Sequence, residues 1–253
     1  MKIALATDGA EIAWESLGAG PALLLIAGQA SSLRGWDSLV PAFAANHTVV
    51  RFDHRGVGQS EPGNSAKFST RQFALDALSV LDAAGFDSVT VIGHSMGGRV
   101  AQWVAIDAAE RVEQLVLIAT TGGDHGGDQR SAQVSATLAS GNRAAMTPLF
   151  FSQNFADAQP AVVEKFFDAE LSRTSKRLHY RASVDHDAWA ALSSISADTL
   201  IIHGDADTVT LADHARRLAD AIPQSALHIE DGGLHALHLE LPQIQNAIQQ
   251  FIG

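Results

Sequence analysis

The sequence predicts an α/β fold: a mostly parallel, eight-stranded sheet with helices on both faces and an inserted helical lid. Three observations point there. Short apolar runs alternate with amphipathic stretches over residues 22–119 and again from residue 199, the order in which strand–helix–strand units build a parallel sheet. Residues 122–196, between those two stretches, hold no convincing strand. The 253 residues suit one large domain, or one domain carrying an insertion.

Taken in order, residues 2–7 and 11–16 alternate around Asp8-Gly9, a strong hairpin signal. Residues 22–26 are continuously apolar, as in a strand buried on both faces, and end in Ala27-Gly28-Gln29-Ala30. Residues 36–44 read as a short helix. Residues 47–52 read as a strand leading into Asp53-His54-Arg55-Gly56-Val57-Gly58-Gln59-Ser60. Residues 70–84 form an amphipathic pattern, capped by Thr70 and closed at Gly85. Residues 88–92 alternate β-branched side chains and run into Gly93-His94-Ser95-Met96-Gly97. Beyond it, Val100, Trp103 and Val104 share one helical face to about residue 109. Residues 114–119 are a further strand.

Residues 122–133 are polar and glycine-rich, and residues 135–194 read as several short helices with Pro148 and Pro160 as breaks. The strand pattern resumes at Thr199-Leu200-Ile201-Ile202-His203-Gly204-Asp205-Ala206-Asp207. A helix over 211–221, a strand over 226–229, the loop Gly232-Gly233-Leu234-His235 and a closing helix over 241–252 complete the chain. The expected division is a core of residues 1–121 and 197–253 with a cap of residues 122–196.

Composition narrows the function. A net charge of −11 disfavours nonspecific binding to nucleic acid or to an anionic membrane. The absence of cysteine excludes thiolate chemistry, disulfides and Cys-ligated metals. The apolar run after Met1 is too short for a signal peptide, and no window approaches the roughly 20 apolar residues of a membrane span. A cytoplasmic protein is expected. No G-x-x-x-x-G-K-[ST], G-x-G-x-x-G or H-E-x-x-H occurs, so no nucleotide cofactor and no catalytic metal is expected.

The G-x-S-x-G at Gly93–Gly97 lies between a strand and a helix, where a sharp turn lifts the serine hydroxyl clear of the backbone. Gly93 and Gly97 stand where a Cβ would collide as strand and helix close together. A serine hydroxyl needs a base, and the base needs a third group to hold its tautomer. In a parallel sheet such groups occupy loops at the carboxyl ends of strands. Ser95 follows one strand, Asp205 and Asp207 another, and His235 a third, in the order Ser, Asp, His.

On these motifs the chain resembles the α/β-hydrolase family over essentially its whole length. The likeness is carried by Gly28-Gln29, the 53–60 segment, Gly93-His94-Ser95-Met96-Gly97, Gly204-Asp205-Ala206-Asp207, and His235 with Glu240 and Pro242. Within the family it is similar to small bacterial serine esterases and lactonases, including enol-lactonases. The resemblance implies a carboxylic ester hydrolase (EC 3.1.1-like). Its nucleophile would be Ser95, its base His235 and its acid Asp207, the last position of G-x-x-D. Asp205 is then a strand-end residue bonded to nearby backbone. His238 falls outside the family's spacing and is expected to pack, as is His94. His203 is expected to be buried and hydrogen-bonded. The backbone N–H groups of Gln29 and Met96 would form the oxyanion hole. The family's His-Gly is Ala27-Gly28 here, which leaves the anchoring of that loop open. Arg55 belongs to a structural loop, with a substrate anion as its alternative contact. Trp36, Phe150, Phe151, Phe155 and Trp189 are expected to line a pocket for a small, largely apolar ester or lactone. Two other readings of the same motifs are a carbon–carbon bond hydrolase or cofactor-free perhydrolase (haloperoxidase), and a hydrolase-like ligand receptor.

Overall fold

The computed structural model describes residues 1–125 and 127–253. Its strands are β1 (Lys2–Leu5), β2 (Glu11–Leu17), β3 (Ala22–Ile26), β4 (Thr48–Phe52), β5 (Val89–His94), β6 (Val112–Ile118), β7 (Asp198–Gly204) and β8 (Ser225–Glu230). They form one sheet in the order β1-β2-β4-β3-β5-β6-β7-β8. β2 runs antiparallel to β1 and β4, and every other pairing is parallel. The expected fold class is therefore found.

Side-chain alternation splits the core in two, because successive residues of a strand face opposite sides. Leu24 and Ile26 of β3, Val91 of β5 and Leu115 and Leu117 of β6 join one cluster. Leu23, Leu25, Ile92, Val116 and Ile118 join the other. The continuous apolar run of β3 is thus needed on both sides. Helices α1 (Val40–Phe43) and α11 (Pro242–Ile252) cover the second face, whereas α2 (Thr70–Ala84), α3 (Met96–Asp107) and α9 (Ala212–Ala221) cover the first. Five helices, α4 (Ala132–Ser140), α5 (Arg143–Phe150), α6 (Gln153–Ala158), α7 (Pro160–Phe167) and α8 (Arg173–Val184), are inserted between β6 and β7. The single turn α10 (Leu237–Glu240) precedes α11. Among the described residues, no helix is long and apolar enough to cross a membrane.

Some local expectations change. The helix expected over 36–44 is a 3-10 turn, Leu33–Trp36, followed by α1. Pro41 has no N–H to give and is confined to the first turn of α1. The cap of α2 is Ser69 rather than Thr70: Ser69 Oγ accepts the Gln72 amide at 3.1 Å, while Thr70 Oγ1 pairs with His186 Nδ1 at 2.8 Å. Pro148 does not break the chain; it lies inside α5, which ends two residues later. Pro160 opens α7, where its missing N–H has no intrahelical partner to lose.

Candidate active site

Ser95 sits at the junction of β5 and α3 with φ 56° and ψ −119°. A side chain in this region of φ is strained and persists only where its surroundings enforce it. Three contacts enforce it here. The Ser95 amide donates to the Ile118 carbonyl at 2.9 Å. Thr120 Oγ1 donates to the Ser95 carbonyl at 2.7 Å. A Cβ at Gly93 would run into the Gly97 carbonyl, and one at Gly97 into the Ile26 carbonyl, so the strand and helix close only on glycine. Thr120 carried no sequence motif, and only the adjacency of β5 and β6 reveals it.

Asp207 lies in the loop after β7 and is 2 % exposed. Its Oδ1 accepts the Val209 and Thr210 amides at 2.7 and 3.1 Å. Its Oδ2 lies 2.7 Å from His235 Nδ1 and 3.2 Å from His203 Nε2. Burial alone would raise this carboxyl, but the imidazoles of His235 and His203 hold it well below the usual carboxylate range. An ionised carboxylate only accepts, so Nδ1 of His235 carries the proton and Nε2 is left as an acceptor. That nitrogen stands 3.0 Å from Ser95 Oγ. The loops bearing Asp207 and His235 meet through glycine: a Cβ at Gly204 would fall on the Gly233 carbonyl. Asp205 points elsewhere and accepts the Gly232 amide at 2.7 Å.

The other histidines around the site, His54, His94, His203 and His238, are buried. His94 Nε2 donates to the His235 carbonyl at 2.9 Å, and burial, reinforced by neighbouring His235, pushes it down to about 3. His238 packs between Trp36 and His94, with ring centroids at 5.1 and 4.4 Å. His203 Nε2 also faces the Thr210 carbonyl at 2.7 Å. His54 resolves the anchoring of the Gly28-Gln29 loop. Its Nε2 donates to the Ala27 carbonyl at 3.0 Å, while Asp53 Oδ1 accepts the Leu33 amide at 2.8 Å. The 53–60 segment therefore grips that loop at both ends. Gly28 lies against Ser95, with room for a Cβ only 3.4 Å from the serine Cβ; Gln29, the next residue, is exposed. Arg55 is buried and engaged by Asp76, with Nε–Oδ2 at 2.7 Å, and by Asp8 at 2.8 Å. It is not turned toward Ser95's loop as a free cation.

Above His235 lie phenylalanines of the inserted helices. Phe150 meets the imidazole edge-on, with centroids 5.1 Å apart and planes at 83°. Phe166 packs on Phe150, Phe151 and His94, and Phe155 stacks on Phe151 at 5.5 Å. Trp189 is not among them. Its Nε1 donates to the Gly123 carbonyl at 3.1 Å, and Arg217 lies over its ring at 4.3 Å. The turn that carries it packs on Gly122 and the opposite core cluster. Trp189, expected beside Phe150, Phe151 and Phe155, thus packs away from them, and Phe166 packs among them instead. Among the described residues no group of three or more His, Asp or Glu side chains could hold a metal ion.

A family model described as the alpha/beta hydrolase fold matches residues 21–191. The chain belongs to this family. A RutD protein of Azorhizobium caulinodans, named for carbamate hydrolysis, is 29% identical over 94% of this chain and 92% of its own. The 3-oxoadipate enol-lactonase 2 of Acinetobacter baylyi is 28% identical over 89% and 86%. The crystal structure of a hydrolase from Pseudomonas aeruginosa PA01 superposes with a TM-score of 0.86 at 30% identity, covering 100% of this chain and 98% of that one.

Proposed function

We propose that this α/β hydrolase cleaves a carboxylic ester or lactone of a small, largely apolar substrate through an acyl-enzyme. The observation that carries the reading is His235 placed between two partners, 3.0 Å from Ser95 Oγ and 2.7 Å from Asp207 Oδ2. His235 Nε2 takes the Ser95 proton as Oγ attacks the carbonyl carbon. Asp207 stabilises the resulting imidazolium and keeps its orientation. The developing oxyanion is held by the amides of Met96, at the free N-terminus of α3, and of Gln29. His235 then returns the proton to the leaving alkoxide as the C–O bond breaks. Water attacks the ester of Ser95 with His235 again as base, releasing acid and regenerating the serine. Residues 122–196 act as a cap over this site. Phe150, Phe151, Phe155 and Trp36 give the acyl side an apolar wall, which favours neutral over anionic substrates.

The test is labelling with a fluorophosphonate, followed by mass detection of the adduct and its mapping. One adduct at Ser95 is expected, lost in Ser95→Ala together with at least about 10⁴-fold of turnover on a p-nitrophenyl ester. Labelling elsewhere, or turnover retained in that variant, sinks the reading.

A further inference from the structure

The loop that carries His235 is held from two sides. On the sheet side it meets the Asp207 loop through Gly204 and Gly233. On the other side it meets residues 149–152, the end of α5 and its link to α6. The His235 amide donates to the Leu149 carbonyl at 3.4 Å, and the Ala236 amide to the Phe150 carbonyl at 3.0 Å. The Ser152 amide donates to Glu240 Oε2 at 3.0 Å, and the Ser152 hydroxyl donates to Glu240 Oε1. Ser152 Oγ meanwhile accepts the Phe155 amide at 3.2 Å and so caps α6. Its hydroxyl proton is therefore free for Glu240 alone.

A carboxylate suits this position because both of its oxygens must accept. An amide offers one oxygen, leaving one of the two donors of Ser152 without its acceptor. The link from Glu240 back to the imidazole is short and stiff. α10 is one turn, closed by the Leu239 amide on the Ala236 carbonyl at 2.9 Å and the Leu241 amide on the Leu237 carbonyl at 2.9 Å. The ring of Phe150, carried by the clamped corner, stands edge-on against His235.

We propose that Glu240 is a positioning residue for His235. By gripping Ser152 it seats the α5–α6 corner on the histidine loop and fixes the imidazole's direction toward Ser95. This rests on the reading of Ser95 and His235 given above. If Glu240 only helped to cap α6, its loss would lower melting temperature and leave catalysis unchanged, since Ser152 caps α6 by itself.

The experiment compares wild type, Glu240→Gln, Ser152→Ala, the double variant and Ser152→Thr. Two readouts are used: steady-state hydrolysis of a p-nitrophenyl ester, and the downfield proton signal of His235 Nδ1–H. In Glu240→Gln and in Ser152→Ala, kcat is expected to fall about tenfold with KM within about twofold, as small misplacements of a catalytic group do. The double variant should be no worse than the poorer single one, because both remove one link. Ser152→Thr, which keeps hydroxyl and amide, should recover kcat. The Nδ1–H signal should broaden or vanish in the first two variants and persist in the threonine variant. A wild-type kcat in Glu240→Gln, multiplicative losses in the double variant, or an unchanged Nδ1–H signal overturns the proposal. Failure of the wild type to be labelled at Ser95 instead overturns the hydrolase reading, and the proton signal then still decides the clamp.

Discussion

The sheet and the inserted helices hold the site in different ways. On the sheet side Ser95 and Asp207 are held through hydrogen bonds that involve backbone groups. Ser95 is fixed by Ile118 and Thr120, Asp207 by Val209 and Thr210, and glycine contacts leave no space for slippage. The inserted helices reach the site mostly through side chains, phenylalanine rings above His235 and polar ties such as Lys165 Nζ to Asp37 Oδ2 at 3.0 Å and Glu240 to Ser152, with backbone contact confined to the Leu149 and Phe150 carbonyls on the His235 loop. α4 buries no residue completely. Apolar contacts are non-directional and tolerate exchange better than hydrogen-bonded backbone does. Under the proposed function the sheet side carries the reacting groups, while the helical side sets what reaches them and, through Ser152 and Glu240, steadies His235.

The comparison breaks most visibly at Asp207. Asp207→Asn keeps the shape but offers His235 Nδ1 a donor in place of an acceptor, favouring the wrong tautomer. A loss of about 10⁴-fold in kcat is expected with the fold intact; a loss below tenfold would remove the sheet side's primacy. Gly97→Ala tests the backbone lock, since the new methyl meets the Ile26 and Ala27 carbonyls. About 3 kcal/mol of destabilisation is expected by chemical unfolding, where an exposed helical glycine would gain from alanine.

Acid sharpens the contrast next. His54 and His94 beneath the sheet's loops are pushed by burial down to about 3, and His179 of α8 to about 4. Each binds a proton more readily unfolded than folded. Their stabilising share is complete above the unfolded value near 6.5 and is lost as pH falls toward 3 to 4. Each costs about 1.4 kcal/mol per pH unit within that window. Melting temperature should fall steadily below pH 6.5, and His179→Gln should flatten the slope by the helices' portion. A melting temperature flat from pH 7 to 5 contradicts this. Smallest of all, Phe155→Ala should depress turnover of long-chain esters about tenfold while acetyl esters change less than threefold, because apolar contacts discriminate by a few methylenes. Trp189→Phe, on the far side of the core, should alter neither series.

Legibility in sequence followed the same division. β3, β5 and β7 showed themselves because a buried strand writes period two or a solid apolar run. The serine turn showed itself because only glycine fits at 93 and 97. The place of Trp189 did not, since an aromatic residue in a helical stretch reads alike whichever face it covers. Pro148 misled for a related reason: a proline near a helix end is tolerated, and only the neighbouring turns reveal it. Thr120, Phe166 and the partner of Glu240 were out of reach because each acts across strands or across tens of residues. The grip of His54 on Ala27 answers the departure from His-Gly, yet it required the β3 and β4 loops to be seen side by side.

Gly123 and Asp187 form a single antiparallel bridge, and the Ala188 amide donates to the Gly122 carbonyl at 2.7 Å. The chain entering the insertion and the chain leaving it thus run side by side at this point. A stretch of another length or sequence could be spliced at this doorway without moving a strand. Under the proposed function, a graft between 123 and 187 that keeps Ser152 is the way to re-engineer substrate preference.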